Sequence, residues 1–414
     1  MAVLVRCVPS PAQGDAVAHR FFVFALLLFS GESAALYNDK VIPSVSVSRS
    51  WDDNVYRLSS SADPQLAIGS SQRGDAFTTT NLGLAFDVPW ARQRFQASAQ
   101  LTKNAYDLFT ARDYVGNSAR ANWLWQLGNK WSGQAGATTS DTLGSTANFQ
   151  GTTPNPITAS SAFLSASWQL HPDWRLGAGL NANQQRNGAS SQKINDTNST
   201  VTDMAITYLT GAGNTIGFNT RVEQARFPTQ QVVSGAAVDN AYDQTSYGMA
   251  GSWRYSANSN FNAGLDHVSR DYKQLASRKY EGRVWRLGYN WTPAGRSSLS
   301  ASVFRDVNQT EELKTNLIVA TGVSLRMSLS LTGKMNLSGT LDRGTKDYLG
   351  DAQQVIGSTA TRHDVNHTGG LSLAYQISRR GSISLGVVRD NRTSTFAGYD
   401  YQATTVNIGG QISF

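Results

Sequence analysis

Tyr399-Asp-Tyr-Gln-Ala-Thr-Thr-Val-Asn-Ile-Gly-Gly-Gln-Ile-Ser-Phe414 is the stretch that decides the fold. Taken in steps of two back from Phe414, the residues Ile412, Gly410, Ile408, Val406 and Thr404 share one face of a strand, while Ser413, Gln411, Gly409, Asn407, Thr405 and Ala403 share the other. One face suits lipid and the other water. The last strand is expected to pair with the first and so leave no unpaired edge in the membrane, with the Phe414 ring as its terminus. The expected fold class is all-β, a transmembrane antiparallel up-and-down β-barrel.

Composition agrees with this reading. The chain has 414 residues, of which 40% are hydrophobic and only 16% charged, with 37 glycines and 10 Trp, 15 Tyr and 16 Phe. A mean hydropathy of −0.34 excludes a helical membrane protein, but it does not exclude a barrel, because alternating polar and apolar positions cancel in the average. The aromatic residues suffice to furnish belts at both membrane interfaces.

Residues 1–35 differ from the rest. Arg6 and Arg20 precede the apolar run Phe21–Phe29, too short to span a bilayer but suited to a signal-peptide core, and Ser33-Ala34-Ala35 offers a small-x-small cleavage site before Leu36. The expected division is a signal peptide over 1–35 and the barrel over 36–414, with the true start codon left open. Cys7 is the one cysteine and leaves with the signal, so neither disulfide nor thiol chemistry is expected. Removing Arg6, Arg20, Asp15 and Glu32 together leaves the formal charge at +7. Such a balance suits contact with lipopolysaccharide phosphates outside or with an anionic solute inside.

From Val41 onward, alternating runs are joined by tight turns and longer polar loops in turn. The short turns lie at 88–92, 127–130, 171–173, 211–214, 257–260, 292–296, 331–334 and 378–381, each with Gly, Pro, Asn or Asp where a hairpin reverses. Longer connections rich in Ser, Thr, Asn and Gly fall at 59–74, 141–160, 186–197, 227–240 and 346–360, and no helical period interrupts the pattern. Alternating turns and loops give about 18 strands, or 16 if a weak pair around Thr310 is misread. An even number puts both termini at the periplasm, with short turns on that rim and long loops outside. Aromatics crowd the strand ends beside the short turns, among them Trp90, Trp125, Trp131, Trp168, Trp174, Trp253, Tyr289 and Trp291, and read as the periplasmic-side girdle.

Catalytic constellations are missing from the sequence. His363 and His367 share a strand face without a third ligand, and His267 beside Asp266 points to the opposite face, so no metal site, cofactor or enzymatic activity is expected. Nucleic acid is not an expected partner. The water-facing parity instead collects Arg120, Arg175, Arg221, Arg254, Arg286 and Arg326 on separate strands, with Glu223 and Asp266 as acidic counterparts. A charge at the lipid midplane costs about 2–4 kcal/mol, so these side chains are expected in the lumen. There they could brace the wall or pass an anionic solute. Arg305, Arg343 and Arg389 fall on the lipid-facing parity near the outer strand ends.

The terminal pattern of Phe414, Ile412 and Val406 resembles the C-terminal recognition signal of Gram-negative outer-membrane barrels, which implies delivery to the barrel assembly machinery. A second resemblance lies at Trp51-Asp52-Asp53-Asn54-Val55-Tyr56-Arg57, an aromatic-Asp-Asp-Asn-apolar-aromatic-Arg segment at the end of the first strand. Together with Ala162–Gly177, it looks like the start of the exopolysaccharide-operon outer-membrane barrels grouped as beta-barrel porin 2. That resemblance implies a conduit for a secreted polysaccharide, working with a periplasmic polysaccharide export protein and embedded in outer-membrane lipid. The alternatives are a general or substrate-specific diffusion porin and a structural or adhesive barrel. A long infolded loop with facing acidic and basic residues, the usual constriction of a diffusion porin, is not evident in the sequence. The Asp52-Asp53-Asn54 cluster reads as a rim turn held by side-chain to backbone hydrogen bonds, in preference to a cation or sugar contact.

Overall fold

A computed structural model describes residues 40–147, 151–233, 236–274, 279–308, 317–349 and 362–414. The signal segment expected at 1–35, Cys7 and Thr310 lie outside the described residues. The strands are β1 (Val41–Asp52), β2 (Asp75–Trp90), β3 (Gln93–Tyr106), β4 (Tyr114–Leu127), β5 (Trp131–Leu143), β6 (Pro156–His171), β7 (Trp174–Asn187), β8 (Thr197–Leu209), β9 (Thr215–Arg226), β10 (Gln231–Val233) and β11 (Ala236–Val238). They continue as β12 (Tyr242–Ser256), β13 (Ser259–Tyr272), β14 (Tyr280–Trp291), β15 (Ser297–Asn308), β16 (Leu317–Ser330), β17 (Met335–Leu349), β18 (His363–Gln376), β19 (Gly381–Ser394) and β20 (Tyr401–Ser413).

Eighteen of these strands form one antiparallel sheet, and β10–β11 is a separate two-stranded hairpin in the connection between β9 and β12. Neighbours in sequence pair throughout, and the sheet closes where β1 pairs with β20 from Ser44↔Ser413 to Asp52↔Thr405 while its other edge pairs with β2. Closure removes both edges, the only way a sheet satisfies its backbone within lipid. The result is the closed 18-strand barrel that the alternation predicted.

Register divides the residues into two faces. On β9, Ile216 and Phe218 point outward while Gly217, Asn219 and Arg221 point inward; on β12, Tyr247, Met249 and Trp253 point outward while Gln244, Ser246 and Ser252 point inward. The parity is not pure. Phe163 and Phe304 fall on the lumen face, each with its ring over a glycine of the neighbouring strand, Gly136 and Gly322, where no Cβ stands in the way. On the outer face, stacked rings mark the short-turn rim: Phe95 on Trp123 at 6.0 Å, Trp131 on Trp168 at 5.4 Å and Phe261 on Tyr289 at 4.6 Å between centroids. Cross-strand aromatic pairs of this kind favour strand pairing and anchor the rim at the headgroups.

Several loops differ from the sequence reading. β5 runs to Leu143 and β6 starts at Pro156, so the loop expected over 141–160 is shorter at both ends, and β17 extends to Leu349 within the loop expected from 346. The first long loop contains one helical turn, Pro64–Ile68, which the unbroken β period did not suggest. Asp63 caps it by accepting from Gln65 N at 2.9 Å, Pro64 pre-sets its first φ, and Gly69 ends it in the left-handed region at φ 72°. Among the described residues no helix is long and apolar enough to cross a membrane, which leaves crossing to the strands.

Candidate transport lumen

The site begins where β1 ends. Trp51 faces outward and is half exposed, and Asp52 faces the lumen, 6% exposed. The Asp52 carboxylate accepts two bonds from the Arg57 guanidinium at 2.9 Å each, one from Asn54 N at 2.9 Å and one from the Thr405 hydroxyl at 2.8 Å. Arg57 also donates to Asn54 O and sits at φ 55°, in the left-handed region, which the fourfold grip on Asp52 helps to hold. Asp53 exchanges two bonds with Thr404, from its own N to Thr404 O at 3.1 Å and from Thr404 N to its Oδ1 at 2.7 Å. Asn54 donates to Leu58 O and Gln402 O at 2.9 Å each and accepts from Leu58 N at 2.8 Å. Side chains thus prolong the β1–β20 seam from Thr405 to Gln402 after the β1 backbone has turned away. Every described side-chain hydrogen bond of Asp52, Asp53 and Asn54 lies within this turn and seam.

Beyond the turn, Val55 and Tyr56 are buried against Phe109 of the β3–β4 loop, with the Tyr56 and Phe109 rings edge to face at 5.1 Å. Burial raises the Tyr56 phenol above its ordinary pKa, so it stays neutral. The backbone N–H groups of Leu108 and Phe109 donate to Asp75, fixing that loop to the start of β2. On the outer face nearby, the hydrogen bond from Arg49 holds the Asp107 carboxyl below the usual range.

Among the described residues, the β5–β6 loop makes contacts on both the β1–β2 loop and β19. The Thr146 hydroxyl donates to Val55 O at 3.0 Å, and Arg392, pointing inward from β19, donates to Ala147 O at 2.6 Å. β19 and β5 are separated by six strand steps out of eighteen, a third of the circumference, so this loop crosses the lumen. An infolded loop was not evident in the sequence because residues 144–155 carry no charge and so lack the expected acidic and basic signature. Around its far anchor, Arg392 lies 4.9 Å from the Tyr401 ring, and Arg362 pairs with the fully buried Asp364 while stacking on Tyr399 and Tyr348 at 3.8 and 4.3 Å. Register places Arg392, Asp364 and Tyr401 on the inward face, and nothing in their spacing along the chain indicates that they meet.

Below the mouth, register puts all six arginines on the lumen face. Three have carboxylates on the adjoining strand: Arg221 with Asp203 at 2.6 Å, Arg286 with Asp306 at 3.8 Å and Arg326 with Asp342 at 3.7 Å. Arg326 also donates to Ser324 at 2.6 Å, and Asp266 accepts from Asn219 at 2.7 Å. Arg120, Arg175 and Arg254 have no ion pair among the described residues. Arg175 and Arg286 line the same wall recess of about 450 Å³ with Thr207, Asn219, Ser252 and Asn262. Elsewhere the wall is hydroxyl and amide, as in the Thr138–Ser161 and Asn183–Ser199 contacts at 2.8 and 3.3 Å. His363 and His367 occupy the outer face, His363 against Asp347 at 2.6 Å, and no group of three or more metal-ligating side chains occurs among the described residues.

The profile of the family described as "Putative beta-barrel porin 2" matches residues 181–414, more than half of the chain. The chain belongs to this family. No curated protein matches it. Among solved structures, a ferric enterobactin receptor mutant of Pseudomonas aeruginosa in complex with enterobactin has TM-score 0.50 at 9% identity, over 91% of this chain and 82% of that one. A BenF-like porin from Pseudomonas fluorescens Pf-5 has TM-score 0.49 at 8% identity, over 91% of this chain and all of that one. At these identities the likeness is one of outer-membrane barrel fold alone. In this member of the porin 2 family, β7 from Asn181 to β20 fall within the matched region, including four of the six lumen arginines, while the Trp51–Arg57 turn lies outside it.

Proposed function

We propose that this barrel is the outer-membrane conduit of a secreted polysaccharide, with both termini periplasmic, as in the exopolysaccharide-operon barrels. The polymer is handed over by a periplasmic polysaccharide export protein and driven by its own synthesis. The observation that carries the reading is the lumen wall itself. Hydroxyl and amide side chains line it strand after strand, and its six arginines are distributed over six strands, no more than two of them lining any one described recess. A moving polymer needs many weak contacts, since one tight site would hold it. An 18-strand barrel is also wide enough to enclose an aqueous path. In this reading Arg221, Arg286 and Arg326 brace the wall through their carboxylates, while Arg120, Arg175 and Arg254 keep their donors for an acidic polymer. No catalytic step is assigned.

A diffusion porin is the second reading, favoured by the loop that crosses from Thr146 to Arg392. A deletion strain separates the two. Loss of surface polymer with synthesis continuing inside supports export, whereas normal surface polymer with impaired uptake of a small solute supports diffusion. Changing Arg120, Arg175 and Arg254 together to Gln should slow export of an acidic polymer and lower anion preference in a planar bilayer, and unchanged selectivity would remove these three from the path.

A further inference from the structure

We propose that one side of the barrel's outer wall is a binding belt for the phosphate groups of lipopolysaccharide, centred on Arg283, Arg305, Arg343 and Arg389. All four lie on the outward parity, and each lies eight residues from the short-turn end of its strand, at Trp291, Ser297, Met335 and Gly381. Eight residues advance about 27 Å along a strand, or about 20 Å along the barrel axis at the usual tilt of about 40°. Between that end and the charge, the outward face is apolar: Trp285 and Leu287 on β14, Leu337 and Leu341 on β17, and Ile383, Leu385 and Val387 on β19. The backbones of the four arginines therefore lie about 5 Å below the upper edge of an apolar band about 25 Å tall, within side-chain reach of the headgroups on the long-loop side. Arginine side chains there extend toward the interface.

What the protein supplies to these charges is almost nothing. Arg283, Arg305 and Arg343 have no hydrogen bond or ion pair among the described residues, and Arg389 has one bond, to Gln402 Oε1 at 3.1 Å. In register, Arg343 faces His367, which adds a donor to the patch. The other outward arginines are satisfied internally. Arg49 is tied to Asp107, Arg226 to Asp243 at 2.8 Å, and Arg186 to Thr197 O and Asn198 at 3.0 and 2.7 Å. The strands β14, β15, β17, β18 and β19 thus present four guanidinium groups without a carboxylate partner among the described residues. The outward carboxylates of this sector, Glu281 and Asp347, are paired with His267 and His363, whereas the outward arginines of β4 to β9 are bonded. Planar guanidinium groups at this height suit phosphate monoesters held at the same height by acyl chains, because each can accept a two-pronged bond. The lipid A of lipopolysaccharide carries such phosphates. The inference concerns the outer wall and does not depend on what the lumen carries.

The test uses the full barrel in detergent micelles, with the temperature at which its unheated gel form is lost as readout. Lipid A should raise that temperature, dephosphorylated lipid A should not, and inorganic phosphate at equal concentration should have no effect. A variant with Arg283, Arg305 and Arg343 each changed to Gln should bind lipid A at least tenfold more weakly, while Arg254→Gln in the lumen should bind it normally. Equal responses to intact and dephosphorylated lipid A, or full binding by the triple variant, would overturn the proposal. A response reproduced by free phosphate would overturn the lipid as the source. The two lipid arms need only the unaltered protein, so the test stands even if the triple variant fails to fold.

Discussion

Replacing Arg57 with Ala tests the account of the Trp51–Arg57 turn. The substitution removes two charge-assisted bonds of 2.9 Å from a carboxylate whose side chain is 8% exposed, and leaves it the Asn54 N–H and the Thr405 hydroxyl. Stripping one partner from a buried ion pair costs about 3–5 kcal/mol when the remaining charge is uncompensated. Here two donors remain and the Arg57 side chain is itself 19% exposed, so about 2–3 kcal/mol is expected. In a double-mutant cycle with Asp52→Ala, most of that loss should appear as coupling, because the double variant buries no unpaired charge. Urea unfolding of the four proteins in micelles gives the energies, and amide hydrogen exchange gives their location. Thr404 N, bound to Asp53, and Leu58 N, bound to Asn54, should lose protection, while amides in the middle of β20 should not. If Arg57→Ala unfolds within about 0.5 kcal/mol of the parent and both amides stay protected, the turn does not hold the seam as argued.

Phe414→Asp should block accumulation of a folded, heat-modifiable barrel, because it puts a charge where the ring completes the apolar face of Ile412 and Ile408 at the closing seam, whose backbone bond from residue 414 N–H to Pro43 O at 2.9 Å the substitution leaves intact; normal amounts of folded barrel would refute this. Gly133→Ala should cost about 1–3 kcal/mol and shift tryptophan fluorescence, since an added Cβ would meet Ser165 O at 2.1 Å and the Trp125 ring at 2.4 Å. Here an aromatic ring covers a strand glycine, and an unchanged Trp signal would show that the ring does not rest there.

The sequence by itself determined everything with a period of two. Alternation from Thr404 to Phe414 separated the faces, and the turn residues counted the strands. In a closed antiparallel barrel these are local properties, because each backbone bond is satisfied by a neighbour that the hairpin itself supplies. The same parity fixes the face on which Arg120, Arg254 or Arg343 stands, since one step along a strand reverses its direction. Tertiary structure decided what meets across the lumen. Ala147 reaches Arg392, and Thr146 reaches Val55, only because strand tilt and closure bring distant parts of the wall to one mouth, and an uncharged loop gives no warning of it. It also decided which lumen arginines are paired. Arg221 and Asp203 are 18 positions apart on adjoining strands, and their contact depends on a register that a one-residue slip would have destroyed.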